Sequence, residues 1–312
     1  MSARPADRPA AQPAAQPAPR PRLDRVPPEL LILIGSLSVQ CGGGLATVLV
    51  REYGPLPAVS MRIIFGALML LVLRPIRFRG ASRTALLSCL GLGMVLAAMN
   101  TLFFVALSRI PIGVAVTVEF WGPLAVAVLG SRRALDLVWV AMAAAGIYVL
   151  AGGRLAADDA VGVVAAAASG LCWAIYIGVA GKVAYHWPDG RGLTLAMAVA
   201  VVLIVPPTLA LSDVRPLLVA PTALAGGLVI GLFNSAIPYT TEIAALRRMS
   251  ASTFGVLMSL EPAIATAVGF VMLGQVLQAP DLTAIACVAL ASAGASISAR
   301  RRVSAPGALE SA

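Results

Sequence analysis

Ten long runs of apolar residues follow one another along the chain, each bounded by charged, proline-rich or glycine-rich residues. A helix that crosses a membrane needs about 20 mostly apolar residues, and these runs have about that length. The connections are short, so neighbouring helices are expected to be antiparallel across a bilayer. The pattern predicts ten transmembrane helices, with approximate limits 29–50, 56–74, 84–107, 111–130, 134–151, 159–181, 192–211, 218–238, 252–273 and 281–298.

The composition agrees with an all-α integral membrane protein. Of 312 residues, 59% are hydrophobic and only 12% are charged, whereas soluble domains carry roughly 25% charged residues. Residues 1–28 are rich in Pro, Ala, Gln and Arg, which predicts a disordered tail. That tail has no apolar core of a signal peptide, so the first apolar run is expected to remain as a span. Residues 299–312 are expected to form a basic tail.

The net charge of +9 is explained by membrane topology. If the N-terminus is cytoplasmic, 18 of the 23 Lys and Arg residues fall in cytoplasmic segments, four fall outside and Arg62 lies within a span. Basic residues in short loops stay on the cytoplasmic side. The distribution therefore predicts a multi-pass protein of the plasma (inner) membrane with both termini cytoplasmic, and it requires no nucleic-acid partner.

The chain contains a weak internal repeat. Residues 106–123 align with residues 245–262 at a constant offset of 139. The alignment pairs the fourth predicted span with the ninth, and a repeat unit with an odd number of spans must insert upside down relative to its partner. We therefore expect two inverted five-helix repeats, at 29–152 and 159–298, as in many secondary transporters.

Three charged residues lie within predicted spans: Arg62, Glu119 and Glu261. A charge at the bilayer centre costs at least about 2.5–3.5 kcal/mol and so needs a reason. With about 1.5 Å of rise per residue, Glu119 is about 12 Å from the outer end of its span and Glu261 about 14 Å from the inner end of its own. Both carboxylates are thus expected near the midplane and, through the repeat, facing one cavity.

Two interpretations of these charges stay open. Pro123 and Pro262 are expected to kink the helices beside the acids and to free backbone carbonyls, an arrangement suited to binding an ammonium group or carrying a proton. Alternatively, each Glu is held by a neighbouring polar side chain and serves packing alone. Arg62 could extend to the membrane surface, pair with Glu119, or bind a substrate carboxylate.

Other polar or aromatic residues within spans are weaker candidates for substrate or proton binding. Each has an alternative role in contacts between helices or in core packing; they are Asn100, Trp121, Tyr176 and Asn234. The only histidine, His186, falls in a predicted cytoplasmic loop, and no catalytic motif, metal-ligand spacing or ATP-binding loop is present. We therefore expect a transporter driven by an ion gradient, with no cofactor and no bound metal, and not an enzyme.

Several segments resemble the threonine/homoserine exporters of the EamA group, within the drug/metabolite transporter superfamily. They run in order over about residues 30–300 and include residues 98–104 (AMNTLFF), 111–127 (PIGVAVTVEFWGPLAVA), 172–177 (CWAIYI), 237–239 (IPY) with Glu242, and 253–263 (TFGVLMSLEPA). The resemblance implies a ten-helix, two-repeat, proton-linked exporter of small neutral amino acids, working by alternating access. It puts Glu119, Pro123, Glu261 and Pro262 in matching positions.

The sequence departs from the resembling family at Gln275, where the family often has Glu. Two other functions stay open: export of a larger amphipathic metabolite or drug on the same scaffold, and a membrane sensor or assembly subunit that transports nothing. The expected partners are the lipid bilayer, a small-molecule substrate and protons, with the protein acting as a monomer or a homodimer.

Overall fold

The computed structural model describes residues 26–76, 81–129, 134–152, 157–187, 189–238 and 257–303, together with residues 241, 245, 248, 249 and 254. Within these residues the regular structure is helical. The predicted N-terminal tail therefore lies mostly outside the described residues. Most of the segment between the eighth and ninth predicted spans also lies outside them.

The first three helices agree with the predicted spans to within a few residues. Gly54, at φ 86° and ψ 167°, joins α1 to α2 in a positive-φ conformation that glycine adopts without strain. A connection of one residue makes α1 and α2 an antiparallel hairpin. Ser82 caps α3 by accepting a hydrogen bond from the Ala85 amide at 3.1 Å. These helices are α1 (Pro28–Tyr53), α2 (Pro55–Leu73) and α3 (Arg83–Leu107).

The fourth predicted span is two helices rather than one. The chain leaves regular α-helix at Phe120, between α4 (Ile112–Glu119) and α5 (Trp121–Leu129). Pro123 has no N–H to donate to the carbonyl of Glu119, so the hydrogen-bond ladder is interrupted at this point. The break therefore follows directly after a predicted site residue. The next helix, α6 (Ala134–Gly152), agrees with the fifth predicted span.

The remaining helices differ from the predicted limits at several ends. His186, which we expected in a loop, lies in the last turn of α7, and residues 299–303, which we expected in a tail, are helical. The eighth predicted span begins with a separate short helix and ends in a turn of π-helix, Leu232–Ala236. The elements are α7 (Ala157–His186), α8 (Arg191–Leu211), α9 (Arg215–Val219), α10 (Pro221–Gly231), α11 (Glu261–Leu273) and α12 (Ala279–Val303).

Several of these helices are long and apolar enough to cross a membrane. Five reach full length in the described residues: α1, α2, α3, α8 and the Ala160–His186 part of α7. Shorter apolar stretches occur at Ile112–Val126, Pro221–Ala236, Glu261–Leu273 and Ala279–Gly294. Large apolar side chains such as Val72, Val202 and Val271 are mostly exposed on the outside of the bundle, where lipid would contact them. The fold is that of a multi-pass membrane protein.

Contacts between helix termini define two ends of the bundle. At the first, which we name the Arg74 end, the Arg74 guanidinium donates to the Asp189 carbonyl at 3.2 Å, and the Trp187 indole donates to the Ala85 carbonyl at 3.4 Å. This end joins the last residues of α2 and α7 to the first residues of α3 and α8.

The opposite end, which we name the Gly54 end, holds the turn between α1 and α2. There the Ser60 hydroxyl lies 2.8 Å from the Thr208 hydroxyl, which joins the beginning of α2 to the last turn of α8. The beginning of α4 and the last turns of α3 and α11 also lie at this end. A hydrophobic core of buried side chains, with Ile63, Leu92 and Phe104 among the largest, fills the bundle between the two ends.

Candidate functional site

A cavity of about 660 Å³ lies inside the bundle, between its two ends. Its size is within the range of small-molecule binding sites, about 300–1,000 Å³. Residues from both halves of the chain line it. Of the residues predicted from the sequence, those that line the cavity are Arg62, Asn100, Glu119, Pro123, Tyr176, Asn234 and Glu261.

Glu119 is the last residue of α4 and is only 9% exposed. The hydroxyl of Ser169, on α7, donates a hydrogen bond of 2.5 Å to Glu119 Oε1. The same hydroxyl lies 3.0 Å from the carbonyl of Met99, on α3. A buried carboxylate requires hydrogen-bond donors, and Ser169 supplies one without adding a charge.

Glu261 is the first residue of α11 and is 5% exposed. The side-chain amide of Gln40, on α1, donates a hydrogen bond of 2.9 Å to Glu261 Oε2. Pro262 follows in the first turn of α11, where a missing N–H leaves no helical bond unmade. Pro262 is buried but is not among the cavity-lining residues.

The two acids therefore share one arrangement. Each lies at a helix terminus inside the bundle, beside a proline, and each accepts a hydrogen bond from a neutral side chain of a different helix. Glu119 precedes the break at Phe120, and Glu261 follows a turn at residues 259–260. Backbone that leaves the helix at membrane depth is tolerated where it borders protein or a cavity.

Arg62 lies on α2 and is partly buried, with its guanidinium carbon 5.8 Å from the centre of the Phe104 ring. This is within cation–π distance. In the part of the chain that the structure describes, the recorded ion pair joins Arg191 to Asp189 at 3.1 Å, near the surface, and none joins Arg62 to a carboxylate. Pairing with Glu119, one of the roles expected for Arg62, is thus not observed within 4 Å.

The side-chain amides of Asn100 and Asn234 differ in their hydrogen bonding. The Asn100 amide donates to the Leu96 carbonyl of its own helix at 2.7 Å. Asn234 lies in the π-helical turn, and its buried side-chain nitrogen has no hydrogen-bond partner among the described residues. Its amide lies against Gly42, where a Cβ atom would come within 2.9 Å of it. Turns of π-helix occur frequently at functional sites.

Trp121 does not belong to the cavity lining. Its indole N–H donates to the Ala167 carbonyl of α7 at 2.8 Å, so the side chain joins α5 to α7. Phe120 lines the cavity instead and contacts Trp173 edge to face, with ring centres 5.1 Å apart. Trp121 lies against α7 rather than in the cavity because the helix breaks at Phe120, and the break turns α5 so that its first side chain meets α7.

Gln40 and Ser169 are the two site residues that sequence reasoning did not assign. Both are polar residues within predicted spans, Gln40 in the first and Ser169 in the sixth. The sequence signal that could have identified them is that side chains with hydrogen-bond donors are rare within the predicted spans. The pairing of donor with acid depends on how the helices pack, which the sequence pattern does not contain.

A cavity with two buried carboxylates and an arginine, enclosed by membrane-length helices, is typical of a membrane transporter. The EamA-like transporter family model matches residues 160–297. Together with the relatives described next, this match shows that the chain belongs to the EamA-like transporter family. The predicted family is confirmed, and its members are transporters rather than enzymes.

The relatives define the family membership more closely. Threonine/homoserine exporter RhtA of Salmonella typhimurium (strain LT2) is 34% identical over 278 residues, covering 88% of this chain and 92% of the relative. Threonine/homoserine exporter RhtA of Escherichia coli (strain K12) is 34% identical over 277 residues, with the same coverage, 88% and 92%. A solved crystal structure at 21% identity covers 87% of this chain and 99% of its own, with a TM-score of 0.59. That likeness concerns the fold alone.

Proposed function

We propose that this protein exports small neutral amino acids of the threonine/homoserine type across the inner membrane, by alternating access and in exchange for protons. The observation that carries the proposal is the pair of buried carboxylates, Glu119 and Glu261, in one cavity. The kinship with exporters of threonine and homoserine supports the choice of substrate.

The hydrogen bonds of the acids support an inverted pair of five-helix repeats. Glu119, in the fourth predicted span, is bonded by Ser169 of the sixth, and Glu261, in the ninth, is bonded by Gln40 of the first. If each repeat contains five spans, both bonds join the fourth helix of one repeat to the first helix of the other. Exchange of the two repeats by a twofold axis accounts for this symmetry.

The cavity chemistry suits a zwitterion. A carboxylate of Glu119 or Glu261 is a partner for the substrate ammonium group, and the Arg62 guanidinium is a partner for the substrate carboxylate. Arg62 is available for this role because no carboxylate of the described chain lies within ion-pair distance of it. The amides of Asn100 and Asn234, and the Tyr176 side chain, are further groups for a substrate hydroxyl.

The proposed proton carriers are the same two carboxylates. The hydrogen-bond donors recorded for them, Ser169 for Glu119 and Gln40 for Glu261, are neutral side chains. A carboxylate that binds either a proton or an ammonium group couples the two ligands, because they compete for one site.

On α2 and α8 the cavity lining extends close to the Arg74 end, and on α3 it extends to Phe103, four residues before the end of that helix at the Gly54 end. Leu70 lies three residues before the end of α2, and Leu193 is the third residue of α8. At the Gly54 end the first lining residue of α2 is Arg62, about 10 Å along the helix from its beginning. The basic-residue distribution predicts that the Arg74 end is cytoplasmic, and we propose that substrate enters the cavity from that end.

Everted membrane vesicles test the proposal, because their exposed face is the cytoplasmic one. Labelled threonine is added outside, and uptake is measured with an acidic lumen and after the gradient is collapsed. We expect gradient-driven uptake, and we expect Glu119→Gln to abolish the response to the gradient. Uptake that ignores the gradient, or that is unchanged in Glu119→Gln, would contradict proton coupling.

A second candidate function is export of a larger amphipathic metabolite or drug. The cavity wall favours it, because Met99, Phe103, Phe120, Trp173 and Met258 all contribute apolar surface. Competition in the same vesicles separates the two functions: threonine and homoserine should compete with labelled threonine, whereas amphipathic amines should not. A membrane sensor that transports nothing is the remaining alternative, and it predicts that replacing both acids leaves the phenotype of the gene intact.

A further inference from the structure

Gln275 joins the two halves of the chain at the Gly54 end. Helix α11 ends at Leu273, and Gly274 follows at φ 62°, in the left-handed region. The Gly274 amide donates to the Phe270 carbonyl at 3.2 Å and the Gln275 amide to the Gly269 carbonyl at 3.1 Å. This tight ending folds residue 275 back against the last turns of α11.

The side chain of Gln275 then reaches α4. Its Oε1 accepts a hydrogen bond of 3.2 Å from the backbone N–H of Ile112, the first residue of α4. The first N–H groups of a helix have no acceptor within the helix, and the preceding residue, Pro111, provides no side-chain cap. A glutamine from the other half of the chain therefore caps α4.

The bond lies where α4, α11 and α1 approach one another closely. A Cβ on Gly269 would come within 2.6 Å of the Gln275 carboxamide oxygen and 2.8 Å of the Ile112 side chain, and one on Gly43 within 2.9 Å of Ile112. Gly113 lies directly against Thr266 of α11. Ile112 is completely buried as a result. These contacts close the bundle between the cavity and the Gly54 end.

We propose that Gln275 is the latch of the gate at the Gly54 end: its bond to Ile112 holds α4 against α11, and it must break for the cavity to open at that end. This inference rests on the proposed alternating access. Gln275 is a positioning residue, because α4 carries Glu119 at its other terminus, about 10 Å along the helix. Release of the first turn frees the helix that holds the acid.

Cysteine labelling on both faces tests the latch. Cys41, Cys89, Cys172 and Cys287 are first replaced, and a single cysteine is then introduced at Phe103, which lines the cavity near the Gly54 end, or at Leu193, which lines it near the Arg74 end. A membrane-impermeant maleimide is applied to intact cells and to everted vesicles. Loss of one neutral hydrogen bond shifts an equilibrium about fivefold.

Gln275→Met keeps the length of the side chain but removes the acceptor. We expect it to raise labelling of the Phe103 cysteine from the Gly54 side about fivefold and to lower labelling of the Leu193 cysteine from the Arg74 side. Gln275→Glu keeps an acceptor oxygen and should label as the parent does. Gln278→Met, at an exposed glutamine in the same loop, is the matched control and should change nothing.

A latch predicts that labelling rises on the Gly54 side and falls on the Arg74 side. Labelling that rises on both sides would indicate general loosening of the bundle and would contradict the latch. Equal labelling of Gln275→Met and Gln278→Met on both faces would overturn the proposal. The readout does not depend on threonine transport. Absence of transport by the unaltered protein would therefore refute the proposed function, whereas unchanged labelling in a transporting protein would refute the latch alone.

Discussion

At the scale of single residues, the chemistry of the cavity depends on which neutral groups hold its charges. Glu119 and Glu261 each accept a hydrogen bond from a neutral donor, and Arg62 lies over an aromatic ring. The sequence identifies the three charges because a charged residue within an apolar run is rare. It cannot identify Ser169 and Gln40 as the donors, because both come from helices distant in the sequence.

Ser169→Ala tests whether the donor matters for transport. A hydrogen bond to a charged group contributes about 1.5–3 kcal/mol, so its loss should lower threonine uptake about tenfold or more. Uptake in everted vesicles, normalised to the amount of protein, measures this change. Ser88→Ala is the control, because the Ser88 hydroxyl donates to the Ala85 carbonyl of its own helix at 2.7 Å and Ser88 does not line the cavity; equal uptake by both variants would contradict a role for Ser169.

At the scale of helices, small residues determine how closely the elements approach the site. Gly170 of α7 faces the break between α4 and α5, and Gly122 of α5 lies directly against the Gly170 carbonyl. The three-glycine run of α1, residues 42–44, lies against Asn234, Ile112 and Val268 in turn, so other elements approach α1 closely there. Apolar run lengths predicted where most helices lie, but not the break at Phe120 or the π-helical turn, which depend on packing around them.

Gly170→Ala should destabilise the fold. The added Cβ would lie 2.5 Å from the Glu119 carbonyl oxygen and 2.6 Å from the Trp121 indole nitrogen, and overpacking of this kind costs about 1–3 kcal/mol. Gly178→Ala, on the same helix, meets nothing within 4 Å and should be neutral or slightly stabilising. Thermal unfolding in detergent compares the two, and a midpoint for Gly170→Ala equal to that of Gly178→Ala would refute the contact.

Pro123→Ala tests the break itself. Alanine restores an N–H that can donate to the Glu119 carbonyl, so α4 and α5 should tend to join into one helix. We expect threonine uptake to fall about tenfold or more while the thermal midpoint stays the same or rises, since removing an interior proline favours the helix by roughly 3 kcal/mol. Pro207→Ala, at an exposed proline within α8, should leave uptake unchanged; normal uptake in Pro123→Ala would show that the break is dispensable.

At the scale of the whole molecule, the charge distribution and the fold both bear on the direction of transport across the membrane. The basic residues predict that the Arg74 end is cytoplasmic, and the cavity lining extends toward that end on α2 and α8. The class of protein was predictable from composition and apolar runs, and the family from short segments around the two acids. The shape of the cavity and the contacts at the two ends of the bundle were not predictable, because they arise from helices far apart in the chain.

Single cysteines in a cysteine-free background test the orientation. Asp189, in the turn before α8, and Asp213, in the turn after it, are both exposed and lie at opposite ends of the bundle. An impermeant maleimide should label Asp189→Cys only in everted vesicles and Asp213→Cys only in intact cells. The reverse pattern would place the Arg74 end outside and contradict uptake from the cytoplasm.

The most direct measurement of the central claim uses the purified protein reconstituted into liposomes. Labelled threonine is placed outside, the lumen is acidified relative to the outside, and accumulation is followed over time. The account predicts that threonine accumulates above its outside concentration, that the accumulation collapses with the pH gradient, and that Glu119→Gln liposomes show no accumulation. Accumulation no greater than in protein-free liposomes, or accumulation that persists without the gradient, would contradict proton-coupled export of threonine.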